Sequence, residues 1–439
     1  MVPQWIIEKK RDGEALTQEE ISDFIAGFTR GDIPDYQMAA LAMAIFFQGM
    51  TFDEVAALTE TMMHSGDVID TSSIALPTVD KHSTGGIGDK VSLVLAPLVA
   101  CCDLAVPMIS GRGLGITGGT LDKLDSIPGY RTDLETDAFL RVLQQCGCVI
   151  TGQTASLAPA DKQLYALRDV TGTVPSIPLI SASIMSKKLA EGTDALVLDV
   201  KWGKGAFMKS IDDARELART MVEIGARMDR GMTAVITDMN QPLGCAAGNA
   251  LEIVETVEAL RGYGPADLLD VTLELSAHML LLTGRDSDLD SARTALRAQL
   301  ESGAAFEKFK QMVEAQGGDP SALDDTAKLP GASIQETFKA PEGGVITAVD
   351  AEDIGKACLV LGAGRVKVTD DVDLGVGVTD LVKCGDRVDP GQPLVTIHAN
   401  DRSRLDEAMP HIEAAFSIAD KAPPGHTLIV ETLNPGEST

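Results

Sequence analysis

The sequence is short of basic residues and has no long uninterrupted hydrophobic segment. Its 439 residues include 37 Lys and Arg against 65 Asp and Glu, which gives a formal net charge of -28. Such a surface repels nucleic acids and anionic membranes, because both bind cationic side chains. The most hydrophobic segment, residues 91–109, is interrupted by Pro97, Asp103 and Pro107, so it predicts a buried helix and then a buried strand. We expect neither a nucleic-acid nor a membrane partner.

Histidine and cysteine are also scarce, and they are not grouped. The sequence has six histidines and seven cysteines, and no histidine stands beside the cysteines at the spacing of a metal site. An odd number of cysteines without a disulfide framework is typical of free thiols in a reducing compartment. The first residues also lack the apolar core of a signal peptide. These absences predict a cytoplasmic protein without a metal site.

Hydrophobic periodicity divides the chain into three parts. Thr17-x-x-Glu20 and Thr51-x-x-Glu54 are capping boxes that open amphipathic helices. Further along, the short apolar runs LAVPMIS, GCVITG, ALVLDVKWG and TAVITDM alternate with helical segments, which is typical of an α/β layer with a mainly parallel sheet. The last part is glycine-rich, and its runs GGVITAV, ACLVLGAG and QPLVTIHA predict strands, as does the final run TLIVETL.

These patterns predict an α/β protein with a small helical domain, a larger mixed α/β domain and a C-terminal α+β domain. The expected boundaries are a helical domain at 1–65 that is completed by about 160–190, an α/β domain at 75–155 and 191–335, and a C-terminal domain at 337–439.

Two glycine-rich segments predict an anion site. KHSTGGIGDK, residues 81–90, and SGRGLGITGGTLDKLDSIPG, residues 110–129, each lie between a predicted strand and a predicted helix. In such loops backbone N–H groups and hydroxyls converge on a phosphate, with a helix N-terminus behind them; we expect Thr120 at one N-cap. A single glycine-rich loop of this kind is more often simply a tight turn, and neither loop ends in the Gly-Lys-Ser/Thr of a P-loop.

A third segment supplies positive charge. Arg168 lies late in a predicted helix, and Ser183 and Lys187 are four residues apart, so they share one face of another helix. A helix arginine or lysine is usually solvated, but the run VPSIPLISASIM around Ser183 is apolar and favours a face turned into a site.

The segments KHSTGGIGDKVS, SGRGLGITGGTLDKLD and LRDVTGTVPSIPLISASIMSKKLAEG, in this order and spacing, resemble the thymidine phosphorylase and pyrimidine-nucleoside phosphorylase family. The resemblance covers essentially the whole chain. It implies a helical domain hinged to the α/β domain around a cleft, a C-terminal α+β domain, and a homodimer. The implied reaction is the reversible phosphorolysis of thymidine to thymine and 2-deoxy-α-D-ribose 1-phosphate. The implied substrates are a pyrimidine 2′-deoxynucleoside and inorganic phosphate, a co-substrate, with no cofactor.

The resemblance also implies roles for particular residues. The catalytic set is His82, Arg168 and Lys187, where His82 would donate a proton to the departing base or merely form a hydrogen bond. The implied phosphate ligands are Lys81, Ser83, Ser92, Ser110 and Thr120. The implied base site contains Tyr165, Arg168, Ser183 and Lys187, with Leu114 and Phe207 as apolar walls or as core residues.

Four positions refine these expectations. Ile116 and Asp125 stand where the family commonly has histidine and glutamate, and both changes spare the implied ligands. Lys90 stands where some relatives have a neutral hydroxyl residue and bind potassium, so we expect its ammonium to replace that cation, near Glu255. Met108 is apolar where relatives that accept ribose tend to have lysine, which favours thymidine and 2′-deoxyuridine over uridine.

Other functions stay open on sequence alone. The first alternative is a broad-specificity pyrimidine-nucleoside phosphorylase that also uses uridine. Nucleotide-using AMP phosphorylases, phosphoribosyltransferases and a nucleoside- or phosphate-binding regulator without turnover are further candidates.

Overall fold

A computed structural model describes residues 2–113, 115–116, 118–367, 369–421, 425 and 427–436. The chain begins with four helices: α1 (Pro3–Arg11), α2 (Gln18–Thr29), α3 (Asp35–Gln48) and α4 (Phe52–Met63). Both predicted capping boxes are confirmed: the side chains of Thr17 and Thr51 accept the third N–H of α2 and α4, and Glu20 and Glu54 accept the N-cap N–H in return.

Helix α1 has no predicted counterpart. Its starting proline and the basic residues of its last turn suit the two ends of a helix. It is fastened to α4 by the buried ion pair of Lys10 Nζ with Glu54 Oε1, at 2.8 Å. The same carboxylate oxygen accepts the N–H of Leu16 at 2.8 Å. This pairing between distant residues leaves no local sequence signal.

The next part alternates strands and helices, and all four predicted strand runs form strands. Its elements are β1 (Val79–Ser83), α5 (Val91–Ala100), β2 (Val106–Ser110), α6 (Thr120–Leu124), α7 (Thr136–Cys146), β3 (Cys148–Gly152), α8 (Pro159–Thr171), α9 (Ile177–Ala190), β4 (Ala195–Trp202), α10 (Ile211–Arg227), β5 (Gly231–Asp238), β6 (Ala247–Gly248) and α11 (Ala250–Leu260). Every residue of α5 is buried, as the interrupted hydrophobic segment predicts.

The core strands are parallel. β1 pairs with β4 and β4 with β5, while β2 pairs with β3. A parallel bridge between Thr78 and Ala105 joins the two groups just before β1 and β2. The carboxyl ends of β1 and β2 therefore meet at one edge, where open α/β sheets usually bind their ligands. The two helices α8 and α9 pack on the N-terminal bundle, α8 against α2, α3 and α4, and α9 against α4.

The remaining elements form a helical segment and two further sheets. They are α12 (Ala266–Leu282), α13 (Leu289–Glu301), α14 (Ala304–Ala315), α15 (Ser321–Asp324), a 3-10 turn (Thr326–Lys328), β7 (Ile334–Lys339), β8 (Gly344–Val349), α16 (Ala351–Leu361), β9 (Gly377–Thr379), β10 (Arg387–Val388), β11 (Pro393–Ala399), α17 (Arg402–Ala415), β12 (Phe416–Ala419) and β13 (Ile429–Leu433). The sheet orders are β10-β8-β12 and β6-β9-β11-β7.

The expected strand ACLVLGAG is wrong, because its first five residues belong to helix α16. The side chain of Asp350 accepts the N–H groups of Glu352 and Asp353 and so caps the helix. The buried residues Ile354, Cys358 and Leu361 recur at helical spacing. A period-2 pattern and a helical pattern coincide over this short apolar run, and the cap decides between them.

The last strand departs from the expected domain layout. β13 pairs antiparallel with β5, so the chain returns from the C-terminal part to the edge of the core sheet. Arg215 Nε lies 2.7 Å from Glu431 Oε2 and strengthens this return. None of the described helices combines the length and the apolar character that crossing a bilayer requires.

Candidate functional site

Two adjoining cavities lie at the carboxyl edge of β1 and β2. The first has a volume of about 290 Å³ and is lined by both glycine loops. The second has a volume of about 360 Å³ and is lined by residues of α8 and α9 and by the end of β1. Both linings include His82, Ser83, Thr84, Arg112 and Ile184. A ligand that spans both cavities therefore passes the His82 side chain.

The first cavity contains every side chain expected to hold phosphate. Its lining includes Lys81, Ser83, Ser92, Ser110 and Thr120. Lys81 is buried, and its Nζ lies 3.4 Å from Ser92 Oγ. Hydroxyl donors and an ammonium group around one small space are a natural anion site. The lining also includes Lys188 and Lys187; Lys187 was expected in the base site, but it does not line the second cavity.

Behind Lys81 lies a buried pair of charges that no motif indicates. Asp199 Oδ2 is 3.7 Å from Lys81 Nζ and 2.8 Å from Lys201 Nζ, and all three side chains are fully buried. Asp199 Oδ1 also accepts the hydroxyl of Thr237 at 2.6 Å. A buried carboxylate needs such ion-pair and hydrogen-bond partners to offset its loss of hydration. Asp199 and Lys201 are two residues apart on the apolar strand β4, and this period-2 pair was the available sequence signal.

Close backbone approach explains the glycines of both loops. A Cβ on Gly119 would lie 2.0 Å from the backbone N of Gly113. Gly88 has a φ of +72°, and a Cβ there would lie 2.4 Å from the carbonyl oxygen of Leu243. Neither position accepts a side chain. The expectation for Thr120 is wrong in detail: Gly119 is the N-cap of α6, and Thr120 is its first helical residue.

The second glycine loop is tied to the C-terminal part of the chain. Arg365 Nη1 lies 2.8 Å from Asp122 Oδ1, and the backbone N–H of Gly115 donates to the carbonyl of Arg365 at 2.8 Å. Ile116 packs close to Gly355, where a Cβ would lie 3.2 Å from Ile116 Cβ. The Asp125 carboxylate binds Arg112. Leu114, the expected wall of the base site, lies outside the described residues.

Lys90 is buried and occupies a cage of oxygen atoms. Its Nζ donates to the carbonyls of Ala246 at 2.9 Å and Leu243 at 3.2 Å, and it binds the Glu255 carboxylate. Burial lowers the pKa of Lys90, but Glu255 and the nearby acidic groups outweigh burial, so its pKa is raised. The ammonium is therefore charged, and it fastens the first glycine loop to the segment before α11.

The second cavity has the polar and aromatic groups expected of a base site. Its lining includes Tyr165, Arg168, Ser183 and Phe207, and the two aromatic rings are partly exposed. The Arg168 guanidinium is buried and donates to the carbonyls of Thr173, Val174 and Leu179 at 2.7–3.3 Å. Burial lowers the pKa of Arg168 to about 10, which keeps it charged at neutral pH.

Lys187 and Ser183 share a helix face, as their spacing predicts. Lys187 Nζ donates to Ser183 Oγ at 2.9 Å and also binds the Asp161 carboxylate. Asp161 is a buried residue of α8 that was not predicted as a site residue. It lies seven residues before Arg168, on the same side of that helix, and this spacing was the available signal.

His82 lies among several cations. Burial, followed by the charges of Lys188, Lys81 and Lys187, lowers its pKa well below the ordinary value of 6.5, although Asp89 acts in the opposite direction. Lys188 is itself held by Asp80 at 2.7 Å, Glu191 at 2.8 Å and the carbonyl of Ile109 at 2.6 Å. The imidazole is therefore neutral in the free protein at neutral pH.

Met108 does not join the other expected site residues. It is 1% exposed in β2 and lines neither cavity.

Among the described residues, no group of three or more His, Cys, Asp or Glu side chains is placed to hold a metal ion. All seven cysteines are free thiols.

Family models match three successive parts of the chain. A helical bundle domain of a glycosyl transferase family matches residues 4–66, and the α/β domain of the same family matches residues 75–306. A pyrimidine nucleoside phosphorylase C-terminal domain matches residues 345–419. Pyrimidine-nucleoside phosphorylases of Staphylococcus aureus strains USA300 and N315 are 52% identical over 415 residues, which cover 94% of this chain and 96% of theirs. The chain belongs to the pyrimidine-nucleoside phosphorylase family.

The family assignment makes this protein an enzyme of the glycosyltransferase class and confirms the expected fold class. Anthranilate phosphoribosyltransferase from Thermus thermophilus has the same fold over 71% of this chain and 99% of its own, with a TM-score of 0.57 and 18% identity.

We predict that His82 of the free enzyme titrates below pH 6.5, because burial and three lysines disfavour its charged form. Binding of phosphate should raise this pKa, since an anion in the first cavity offsets the lysine charges. NMR titration of labelled histidine, with His82→Gln to assign the signal, measures both values. A pKa at or above 6.5 without phosphate would contradict the prediction.

Proposed function

We propose that this protein catalyses the reversible phosphorolysis of pyrimidine nucleosides, with thymidine and 2′-deoxyuridine preferred over uridine. The observation that carries the proposal is the shared wall of the two cavities at His82. Phosphate would occupy the first cavity, the base would occupy the second, and C1′ of the sugar would lie between them. The curated relatives at 52% identity, which are named pyrimidine-nucleoside phosphorylases, support the same substrate class.

The reaction forms one bond and breaks one bond at C1′. A phosphate oxygen supplies the electron pair of the new bond, and the pair of the C1′–N1 bond leaves with the base. The proton of monohydrogen phosphate ends on N1 of the base, so the products are a neutral base and a phosphate ester dianion. Lys81, Ser92 and their neighbours would align the phosphate, and this alignment is the main contribution of the first cavity.

Arg168 in the second cavity, and Lys187 in the first cavity beside Ser183 of the second, would stabilise the leaving group. Negative charge grows on the base oxygen and N1 as the bond breaks, and fixed cations stabilise that charge without reorganising. Arg168 is charged and buried, and Lys187 is held by Ser183 and Asp161. A neutral His82 suits a hydrogen-bond donor and proton carrier between phosphate and base, rather than an acid that is protonated before the substrates bind.

The sugar preference is expected to be partial. The first cavity has the apolar side chains of Ile109 and Ile184 in its wall. Strand β2 has Met108 in place of a lysine, so it provides no ammonium group that could bind a 2′-hydroxyl. An apolar wall rejects an added hydroxyl by at most about 100-fold. We therefore expect uridine to be a poor substrate rather than an inert one.

Release of free base from thymidine and uridine, each with and without phosphate, tests the proposed reaction. We predict phosphate-dependent release from both, with kcat/KM for thymidine roughly tenfold or more higher than for uridine.

Lys187→Ala should lower kcat/KM for thymidine by about 100-fold or more, since it removes a cation beside the leaving group. The matched control is Lys162→Ala, which changes an exposed lysine of α8.

Each other outcome of this assay points elsewhere. Equal rates with thymidine and uridine would favour the broad-specificity enzyme. If neither thymidine nor uridine releases its base, the proposed function is overturned and a binding protein is favoured.

We also propose that the Lys90 ammonium replaces a monovalent cation. It already binds two carbonyls and a carboxylate in the manner of a bound ion. Activity should therefore be unchanged when potassium is replaced by tetramethylammonium. Lys90→Thr should lose activity in tetramethylammonium and recover it with potassium. A wild-type enzyme whose activity requires potassium would contradict this proposal.

We propose that the protein is a homodimer through its helical domain. The packed helices α1, α3 and α8 expose large apolar side chains, of which Trp5, Tyr36, Phe47 and Val170 are at least 69% exposed. Such a patch marks an interaction surface. Light scattering should give twice the chain mass of 46.2 kDa. Phe47→Asp should give the monomer, while the control Tyr263→Asp, at an exposed residue away from these helices, should not. A monomeric wild type would contradict the proposal.

A further inference from the structure

The first cavity contains one carboxylate among its many hydrogen-bond donors. Asp89 is the only acidic side chain among the described residues that line it. A carboxylate disfavours an anion through charge repulsion, so its place in an anion site needs a compensating interaction. The contacts of Asp89 indicate what that interaction is.

Asp89 accepts the hydroxyl proton of Ser83. The two oxygen atoms, Ser83 Oγ and Asp89 Oδ2, are 2.5 Å apart. Ser83 Oγ also accepts the backbone N–H of Gly85 at 3.1 Å. A hydroxyl has one proton and two acceptor lone pairs, so Ser83 has its proton committed and one lone pair left for a ligand. In this arrangement Ser83 offers phosphate an acceptor, not a donor.

Asp89 is ionised at neutral pH. Burial raises the pKa of this carboxyl group, but Lys201, Lys81 and the Ser83 hydroxyl outweigh burial and hold it far below its ordinary value. The Nζ of Lys201 lies 3.9 Å from Asp89 Oδ2. The carboxylate also accepts the N–H of Val91 at 3.3 Å. Asp89 therefore accepts hydrogen bonds and does not supply a proton.

We propose that Asp89, directly and through Ser83, selects anions that carry a proton. Inorganic phosphate near neutral pH keeps at least one P–O–H group, which can donate to Ser83 Oγ or to the carboxylate. Sulfate and monofluorophosphate have the same shape and a double negative charge, but they carry no proton, and they meet only repulsion there. The proposal rests on the phosphate role proposed for this cavity.

The same pair discriminates between substrate and product. Phosphate transfers its proton to the base during phosphorolysis, so the sugar phosphate dianion no longer has a P–O–H group to donate. Phosphate esters lose their second proton near pH 6. Asp89 therefore weakens product binding above that pH and favours release of the sugar phosphate.

Calorimetric titration of the wild-type protein with four anions tests this selection without turnover. Phosphate and arsenate carry a proton at neutral pH, whereas sulfate and monofluorophosphate do not. We expect Kd values for the two unprotonated anions at least tenfold higher, the factor that one hydrogen bond to a charged group provides. Sulfate that binds as tightly as phosphate would overturn the proposal.

Two variants test whether Asp89 is the residue responsible for the anion selectivity. Asp89→Asn should reduce the ratio of the sulfate Kd to the phosphate Kd by about tenfold, because the amide can donate to an unprotonated oxygen. Ser92→Ala is the matched control: it removes a donor that both anions use, so both Kd values should rise and their ratio should stay the same. Equal ratios in Asp89→Asn and Ser92→Ala would contradict the role of Asp89.

The experiments keep this inference separate from the proposed reaction. If Asp89→Asn does not fold, the four-anion series with the wild type still decides the question. Selective phosphate binding without release of base from any nucleoside would retain the inference and reject the proposed function. Catalysis without anion selectivity would reject the inference and retain the proposed function.

Discussion

The parallel pairing of the core strands is the constraint on which the site depends. The bridge between Thr78 and Ala105 brings β1 and β2 side by side, so the segments that follow both strands leave the sheet at one edge. Each then forms a glycine loop. Gly119 has no room for a Cβ because it packs against Arg112 and Gly113 of its own loop, and Gly88 has none because it packs against the carbonyl of Leu243. Hydroxyls and backbone N–H groups from two separate segments thus surround one small cavity. The second cavity follows because residues of α8 and α9 lie beside the end of β1.

Buried charge holds this edge in place. Five lysines around the site are at most 4% exposed: Lys81, Lys90, Lys123, Lys188 and Lys201. Each has a carboxylate within 4 Å. Desolvation makes such pairs costly, and removal of one partner typically costs about 3–5 kcal/mol, because the other charge is left buried. They are therefore better understood as fixing the loops and the field around His82 than as a source of net stability.

Local signals in the sequence predicted much of the architecture. The capping boxes, the four core strands and the buried helix α5 all have patterns that are complete within a few residues. The glycine loops and the Ser183/Lys187 face led to residues that do lie around two adjoining cavities. The resemblance to a family supplied the roles, since spacing alone left tight turns and solvated side chains open.

What the sequence did not predict depends on long-range contacts. Helix α1 is fixed by Glu54, 44 residues after Lys10. Asp199 and Lys201 lie under the first loop only because β4 pairs with β1. The segment ACLVLGAG fits two periods, and the distinction requires the cap at Asp350. Met108 is close in sequence to Ile109 and Ser110, which line the first cavity, but it lies further from the carboxyl end of β2 and is buried in the core.

A crystal structure with phosphate and thymine bound together would show whether the two cavities that meet at His82 form one phosphorolytic site. We predict phosphate against Lys81 and Ser92 and thymine against Arg168 and Ser183, with space for a sugar beside His82. Both ligands in one cavity, or thymine outside the α8–α9 wall, would contradict it.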